Sequence, residues 1–173
     1  NENSDEVRKY FKEPGYEEVI FFGSGTSYYL AQAAAKIFKH FTGIETKAAP
    51  SSEIFLFPSS YLQNSRKRKT LCCGFSRSGK TTETVKATRF VRDNYGLRAC
   101  GFTCYPDSEL VGAVDYSINI PEAQEDSVVM TKSFTAMVIG LIKVALVAGD
   151  KNGPEFSLKK LPDSGRDIVD KSF

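Results

Sequence analysis

Histidine occurs once in the chain, at His40, and the four cysteines fall as Cys72 with Cys73 and Cys100 with Cys104, never as C-x-x-C. So few imidazoles and paired thiols exclude the usual donor sets of zinc and iron–sulfur centres, and no metal is expected. The cysteines sit in apolar stretches that read as strands, where neighbours face opposite ways, so buried, reduced thiols are expected. No apolar run supplies the about 20 residues of a membrane span. The most apolar helix candidate, 128–148, contains Lys132 and Lys143. Formal net charge is only +2. The one dense basic run, at 66–69, has no interleaved aromatics and reads as a solvated loop, which argues against a nucleic-acid surface. Residues 1–6 are polar and give no secretory signal. There is no internal repeat and no low-complexity segment. A soluble, cytoplasmic protein without nucleic-acid or membrane partners is expected.

What the chain does have is enough apolar residue for one core: 41% of 173 residues are hydrophobic and 25% are charged, a balance typical of a single globular domain. Apolar runs at 18–23, 44–49, 70–75, 98–104 and 116–120 alternate with helical patterns at 28–41, 81–95 and 128–148, with a short helix from Pro50 through Phe57. Near-continuous apolar strands separated by helices predict an α/β fold with a five-stranded parallel sheet flanked by helices, a flavodoxin-like three-layer sandwich. Ligands of such sheets bind beyond the carboxyl ends of the strands. Two hydroxyl-rich turns, at 23–27 and 76–82, fall at such ends.

The second turn follows the strand at 70–75 and opens a helix, which suits a phosphate cradle. Successive backbone N–H groups through Arg77, Ser78, Gly79 and Lys80 can converge on one anion, with a helix N-terminus behind them. Ser76, Ser78, Thr81 and Thr82 add hydroxyls. Residues 74–81 match the P-loop pattern G-x-x-x-x-G-K-[ST], and 76–81 match the sugar-phosphate pattern S-x-S-G-x-T. The P-loop reading also requires an apolar strand ending in a magnesium-binding Asp. The only candidate, 110–115, has Gly112 in mid-run and reads as starting a strand, so a P-loop NTPase is kept as a minor alternative. Gly23 and Gly25 do not continue into a dinucleotide fingerprint, because Tyr28 stands where the third glycine belongs. No cofactor is expected. A phosphorylated sugar, with many hydroxyls to satisfy, fits a cluster of neutral donors and acceptors.

Three segments carry a family likeness: Gly23, Ser24, Gly25, Thr26, Ser27; then 76–81; then 125–134 with Glu125, Val128 and Met130. In order and spacing they resemble the three ligand loops of the sugar isomerase (SIS) domain. The likeness covers about 17–148. It is in particular to the first of two tandem SIS domains, as in the isomerase half of glucosamine-6-phosphate synthase and related ketose/aldose isomerases and deglycases of amino-sugar metabolism. The resemblance implies that Ser76, Arg77, Ser78, Gly79 and Thr81 hold a hexose or hexosamine 6-phosphate by its phosphate, while Gly25, Thr26, Ser27 and Val128 line the sugar. It further implies an N-terminal segment at 1–16, an SIS domain at 17–149, a linker at 150–173 towards a second SIS domain, and a homo-oligomer. An SIS domain that senses a sugar phosphate and regulates a partner is the alternative. This sequence departs from the family pattern at Arg77, Lys80 and Met130, where Gln, Glu and a sugar-contacting Ser are found.

Isomerisation through an enediol requires a base beside C1 and C2. Glu53 and Glu125 read as loop residues near the expected ligand face, and Glu125 is a weak candidate, read first as a helix cap; His40 and Glu83 read as packing or surface groups. In the resembled tandem proteins the ring-opening and proton-transfer groups come from the second domain and a neighbouring subunit, so the isolated chain is expected to bind without turnover.

Overall fold

The computed structural model describes residues 2–65 and 68–150. The expected linker at 150–173 apart from Asp150, including a helix that the sequence suggests at 164–173, and half of the basic run at 66–69 lie outside them. The chain opens with α1 (Glu2–Val7), which runs into a π-helical turn, Arg8–Lys12. Then follow β1 (Glu18–Gly23), α2 (Thr26–Thr42), β2 (Glu45–Pro50), α3 (Ser51–Leu56), α4 (Pro58–Leu62), β3 (Thr70–Phe75), α5 (Thr82–Tyr95), β4 (Arg98–Thr103), α6 (Glu109–Ala113), β5 (Tyr116–Asn119), a 3-10 turn (Pro121–Ala123) and α7 (Lys132–Ala148). The five strands form one parallel sheet in the order β2-β1-β3-β4-β5.

Period-two alternation in the strands builds two cores. Val19, Phe21, Leu71, Cys73, Phe75 and Phe102 face α2 and α7, where Leu30, Ala34, Phe38, Met137 and Leu141 are fully buried. Ile20, Phe22, Cys72 and Ala99 face the other way, onto Ile54, Leu62, Ala87 and Val91 of α3, α4 and α5. Cys72 and Cys73 therefore lie in different cores, and all four cysteines are free and buried. Burial pushes the Cys73 thiol well above its ordinary range, with the hydrogen bond to Cys100 adding to it.

Order 2-1-3-4-5 puts the topological switch point between β1 and β3, because the connections from these neighbours leave to opposite faces of the sheet. The turns after β1 and β3 therefore border one crevice, and these are the two hydroxyl-rich turns. At 110–115 the chain is not the start of a strand: Glu109–Ala113 is helical. The Asp115 carboxylate accepts from the Ala99 N–H at 2.7 Å and pairs with Arg92 at 3.4 Å. That fixes it at the amino end of β4, the end of the sheet opposite the turn at 76–81. Among the described residues no helix is long and apolar enough to cross a membrane.

Candidate functional site

The turn after β3 is fixed from below by the ends of the neighbouring strands. Ser76 N–H donates to Phe102 O at 3.1 Å, Cys104 N–H and the Thr103 hydroxyl both donate to Arg77 O at 3.0 Å, and Leu110 N–H donates to Gly79 O at 2.9 Å. Gly79 has φ +63°, and a Cβ there would overlap the Ser108 side chain, so only glycine fits. Above this floor the turn offers donors. Ser76 Oγ and Thr81 Oγ1 lie 2.9 Å apart, so Thr81 makes no side-chain cap to α5. The first N–H groups of a helix have no intrahelical acceptor, and here they open towards the crevice uncapped. Ser78 Oγ accepts from Lys80 N–H at 3.2 Å and keeps its proton to donate elsewhere. Lys80 is exposed, with no ion pair among the described residues.

The turn after β1 is equally tight. Gly25 has φ +56°, and a Cβ on Gly23 would overlap the Ser27 backbone. Neither glycine supplies a side-chain cap, so the N-terminus of α2 is also uncapped. Between this turn and Pro50, Ser52 and Glu83 lies an open cavity of about 310 Å³ whose walls include Tyr28 and Tyr29. Thr26 is exposed, while Ser27 is buried and its hydroxyl reaches Met130 Sδ at 3.9 Å. That contact joins the first and third segments.

The third segment is held by Glu125. Its carboxylate accepts from the N–H groups of Thr131 and Lys132 at 3.1 Å and Ser133 at 3.3 Å, from the Thr131 hydroxyl at 2.9 Å, and from the Ser133 hydroxyl. The Ser133 hydroxyl, then the Thr131 donors, outweigh the opposing effect of burial and hold the carboxyl down at about 2. Glu125 is thus an ionised cap on α7, six residues upstream of Thr131, and a poor proton acceptor at neutral pH. The helix consequently starts at Lys132, not at Val128 as the apolar pattern suggests. Val128 is 90% exposed.

Arg77 joins the second and third segments: its guanidinium donates to Ser127 O at 2.6 Å and Val128 O at 3.3 Å, and stands 3.8 Å from Glu125. The three segments named from sequence are therefore in one place. Of the other titratable candidates, Glu83 borders the first segment and His40 does not. His40 lies in the last turn of α2, edge-on to Phe41 and about 20 Å along the helix from Thr26. Glu53 is on α3 and accepts from the Tyr61 hydroxyl, whose pKa rises to about 12, mostly by burial and then through that bond. Glu83, read as a surface residue, is exposed in the first turn of α5 but borders the cavity beside Gly23. Spacing alone does not place it there, since the wall opposite it comes from the distant β1 and β2 turns.

Hydroxyl-rich turns at the switch point of a parallel sheet define a three-layer α/β domain whose ligand crevice lies at the strand carboxyl ends. The chain belongs to the SIS domain family, whose model matches residues 16–147. It is 27% identical over 131 residues to glutamine–fructose-6-phosphate aminotransferase [isomerizing] 1 of Arabidopsis thaliana, covering 76% of this chain and 18% of that protein. With the corresponding Bacillus subtilis protein it shares 28% over 137 residues, covering 79% of this chain and 22% of the relative. The chain thus spans a quarter or less of these two curated relatives. Among solved structures, glucosamine-6-phosphate deaminase from Thermotoga maritima matches with a TM-score of 0.72 and 30% identity, over 89% of this chain and 47% of that one. Tagatose-6-phosphate ketose/aldose isomerase from Escherichia coli shares the fold, with a TM-score of 0.78 at 22% identity, over 98% of this chain and 48% of that one.

Proposed function

We propose that this domain binds a sugar 6-phosphate and forms the N-terminal SIS half of a phosphosugar isomerase or deglycase of amino-sugar metabolism. The phosphate sits on the turn at 76–81, taking hydrogen bonds from the Ser76, Ser78 and Thr81 hydroxyls and from backbone N–H groups that include Arg77 and Gly79. The sugar extends towards Gly25, Thr26 and Ser27, beneath the backbone of Val128. One observation carries this reading: the N-terminus of α5, at the switch point, is left uncapped while hydroxyls and amides surround it. The names of the relatives, all enzymes of hexose or hexosamine 6-phosphates, support the choice of ligand.

Holding phosphate and hydroxyls equally in ground and transition states does not lower a chemical barrier. Acid–base groups are supplied by a second SIS domain and a neighbouring subunit in a homo-oligomer, and the whole assembly is cytoplasmic. Calorimetry tests the binding claim. Glucosamine 6-phosphate or fructose 6-phosphate should bind the chain, free glucosamine should not, and Ser78→Ala should weaken binding about ten- to a hundredfold, the loss of a hydrogen bond to a charged group. Equal affinity for phosphorylated and free sugar would reject the site.

A further inference from the structure

The guanidinium of Arg77 belongs to the phosphate turn by sequence but is spent on the segment across the crevice. Its backbone carbonyl is locked to the end of β4 by Cys104 N–H and the Thr103 hydroxyl, both at 3.0 Å, so the residue stands on a rigid base. From there the side chain, only 21% exposed, reaches the carbonyls of Ser127 and Val128 at 2.6 and 3.3 Å. Among the described residues nothing else comparable holds 126–129. Their side chains are exposed, Val128 and Val129 at 90% and 68%, so no apolar packing anchors the segment between Glu125 and Met130. Glu125 pins one end to α7, Met130 rests on Ser27 at the other, and Arg77 grips the middle.

We propose that Arg77 is a positioning residue that closes the segment at 126–130 over the sugar, and that it is not a phosphate ligand through its side chain. The proposal rests on the sugar-phosphate reading above and adds how the sugar end of the site is assembled. One guanidinium nitrogen, Nη1, donates to two successive carbonyls and stands 3.8 Å from the Glu125 carboxylate, with its N–H groups fixed in the guanidinium plane; the Lys ammonium sits on a shorter side chain without that plane. The sugar side is thereby built on the phosphate side, and a ligand with both parts gains from the clamp where inorganic phosphate does not.

Two probes separate the parts. For the wild-type chain, dissociation constants are measured for inorganic phosphate and for glucosamine 6-phosphate, then repeated with Arg77→Ala and Arg77→Lys. The expected result is that the preference for the sugar phosphate over inorganic phosphate falls about tenfold in Arg77→Ala, the scale of one charge-assisted hydrogen bond. It should fall in Arg77→Lys too, although the charge is kept. Amide hydrogen exchange should quicken at 126–131 in both variants while the core strands β1 and β3 stay protected, which separates loss of the clamp from loss of the fold. Equal weakening of both ligands in Arg77→Ala, restored by Arg77→Lys, would overturn the proposal and make the side chain a phosphate contact. If inorganic phosphate binds the wild-type chain and the sugar phosphate binds no more tightly, the clamp has no sugar to serve and the proposal fails. If neither binds, the sugar-phosphate reading itself fails and takes the clamp with it.

Discussion

At the scale of the residue, Glu125 illustrates how a carboxylate that spacing offers as a base is used as a cap. Ionised Glu125 satisfies the first N–H groups of α7, and its pKa of about 2 lies below the ordinary Glu value of about 4.3. A depressed carboxylate stabilises the fold fully above its unfolded pKa and loses that contribution as pH falls through the folded value. Glu125→Gln should therefore melt below the wild type at pH 7, with the gap narrowing as pH drops from about 5 towards 2. A gap independent of pH in thermal melts would remove the charge from the account. Gly79→Ala tests the floor of the phosphate turn. It forces a positive φ on a side chain and drives Cβ into Ser108, so a loss of about 1–3 kcal/mol is expected in urea unfolding. An unchanged midpoint would mean that the turn yields. Ser76, Ser78 and Thr81 are legible as a candidate site because three hydroxyls and a glycine in six residues are hard to explain as caps alone. The clamp made by Arg77 is not legible: its sequence neighbours say nothing of carbonyls fifty residues away.

At the scale of the element, legibility depends on burial. The bounds of β3, 70–75, can be read directly because both of its faces are covered, so all six residues are buried and the run is unbroken. The apolar pattern begins α7 four residues too early, since Val128, Val129 and Met130 continue it although the first two face solvent. The true start is set by a carboxylate from outside the helix. α1 and its π-helical turn read from sequence only as an N-terminal segment, because six polar-rich residues carry no period. They are held by tertiary contacts: Phe11 is 1% exposed, and Tyr10 stacks on Tyr116 and donates to Ala99 O at 2.9 Å. The segment is thus part of the core beside α2 and α7. Phe11→Ala should cost about 3–5 kcal/mol, the usual result of emptying a buried aromatic site. Denaturant unfolding checks this, and a loss under about 1 kcal/mol would mean that the segment packs only as an appendage.

At the scale of the molecule, the parallel sheet follows from apolar runs alternating with helices, whereas the strand order β2-β1-β3-β4-β5, which no single run encodes, comes from the structure and sets where the crevice lies. Surfaces are less legible, since exposure of an apolar side chain depends on what surrounds it. Leu56 and Phe57 are 61% and 59% exposed at the α3–α4 junction, whereas the adjacent Phe55 is covered in part by Lys86, 4.6 Å from its ring centre. Light scattering should find an oligomer that Phe57→Asp shifts towards monomer; a wild-type monomer would assign this patch no role in self-association. The central claim is that a sugar phosphate sits across the switch point, on the turns after β1 and β3. Titration of the isotopically labelled chain with glucosamine 6-phosphate, followed amide by amide by NMR, tests it most directly. Shifts are expected at 24–27, 76–84 and 126–131 together, with saturation moved to about ten- to a hundredfold higher ligand concentration by Ser78→Ala. Saturable shifts confined to other surfaces, with these three segments silent, would contradict it.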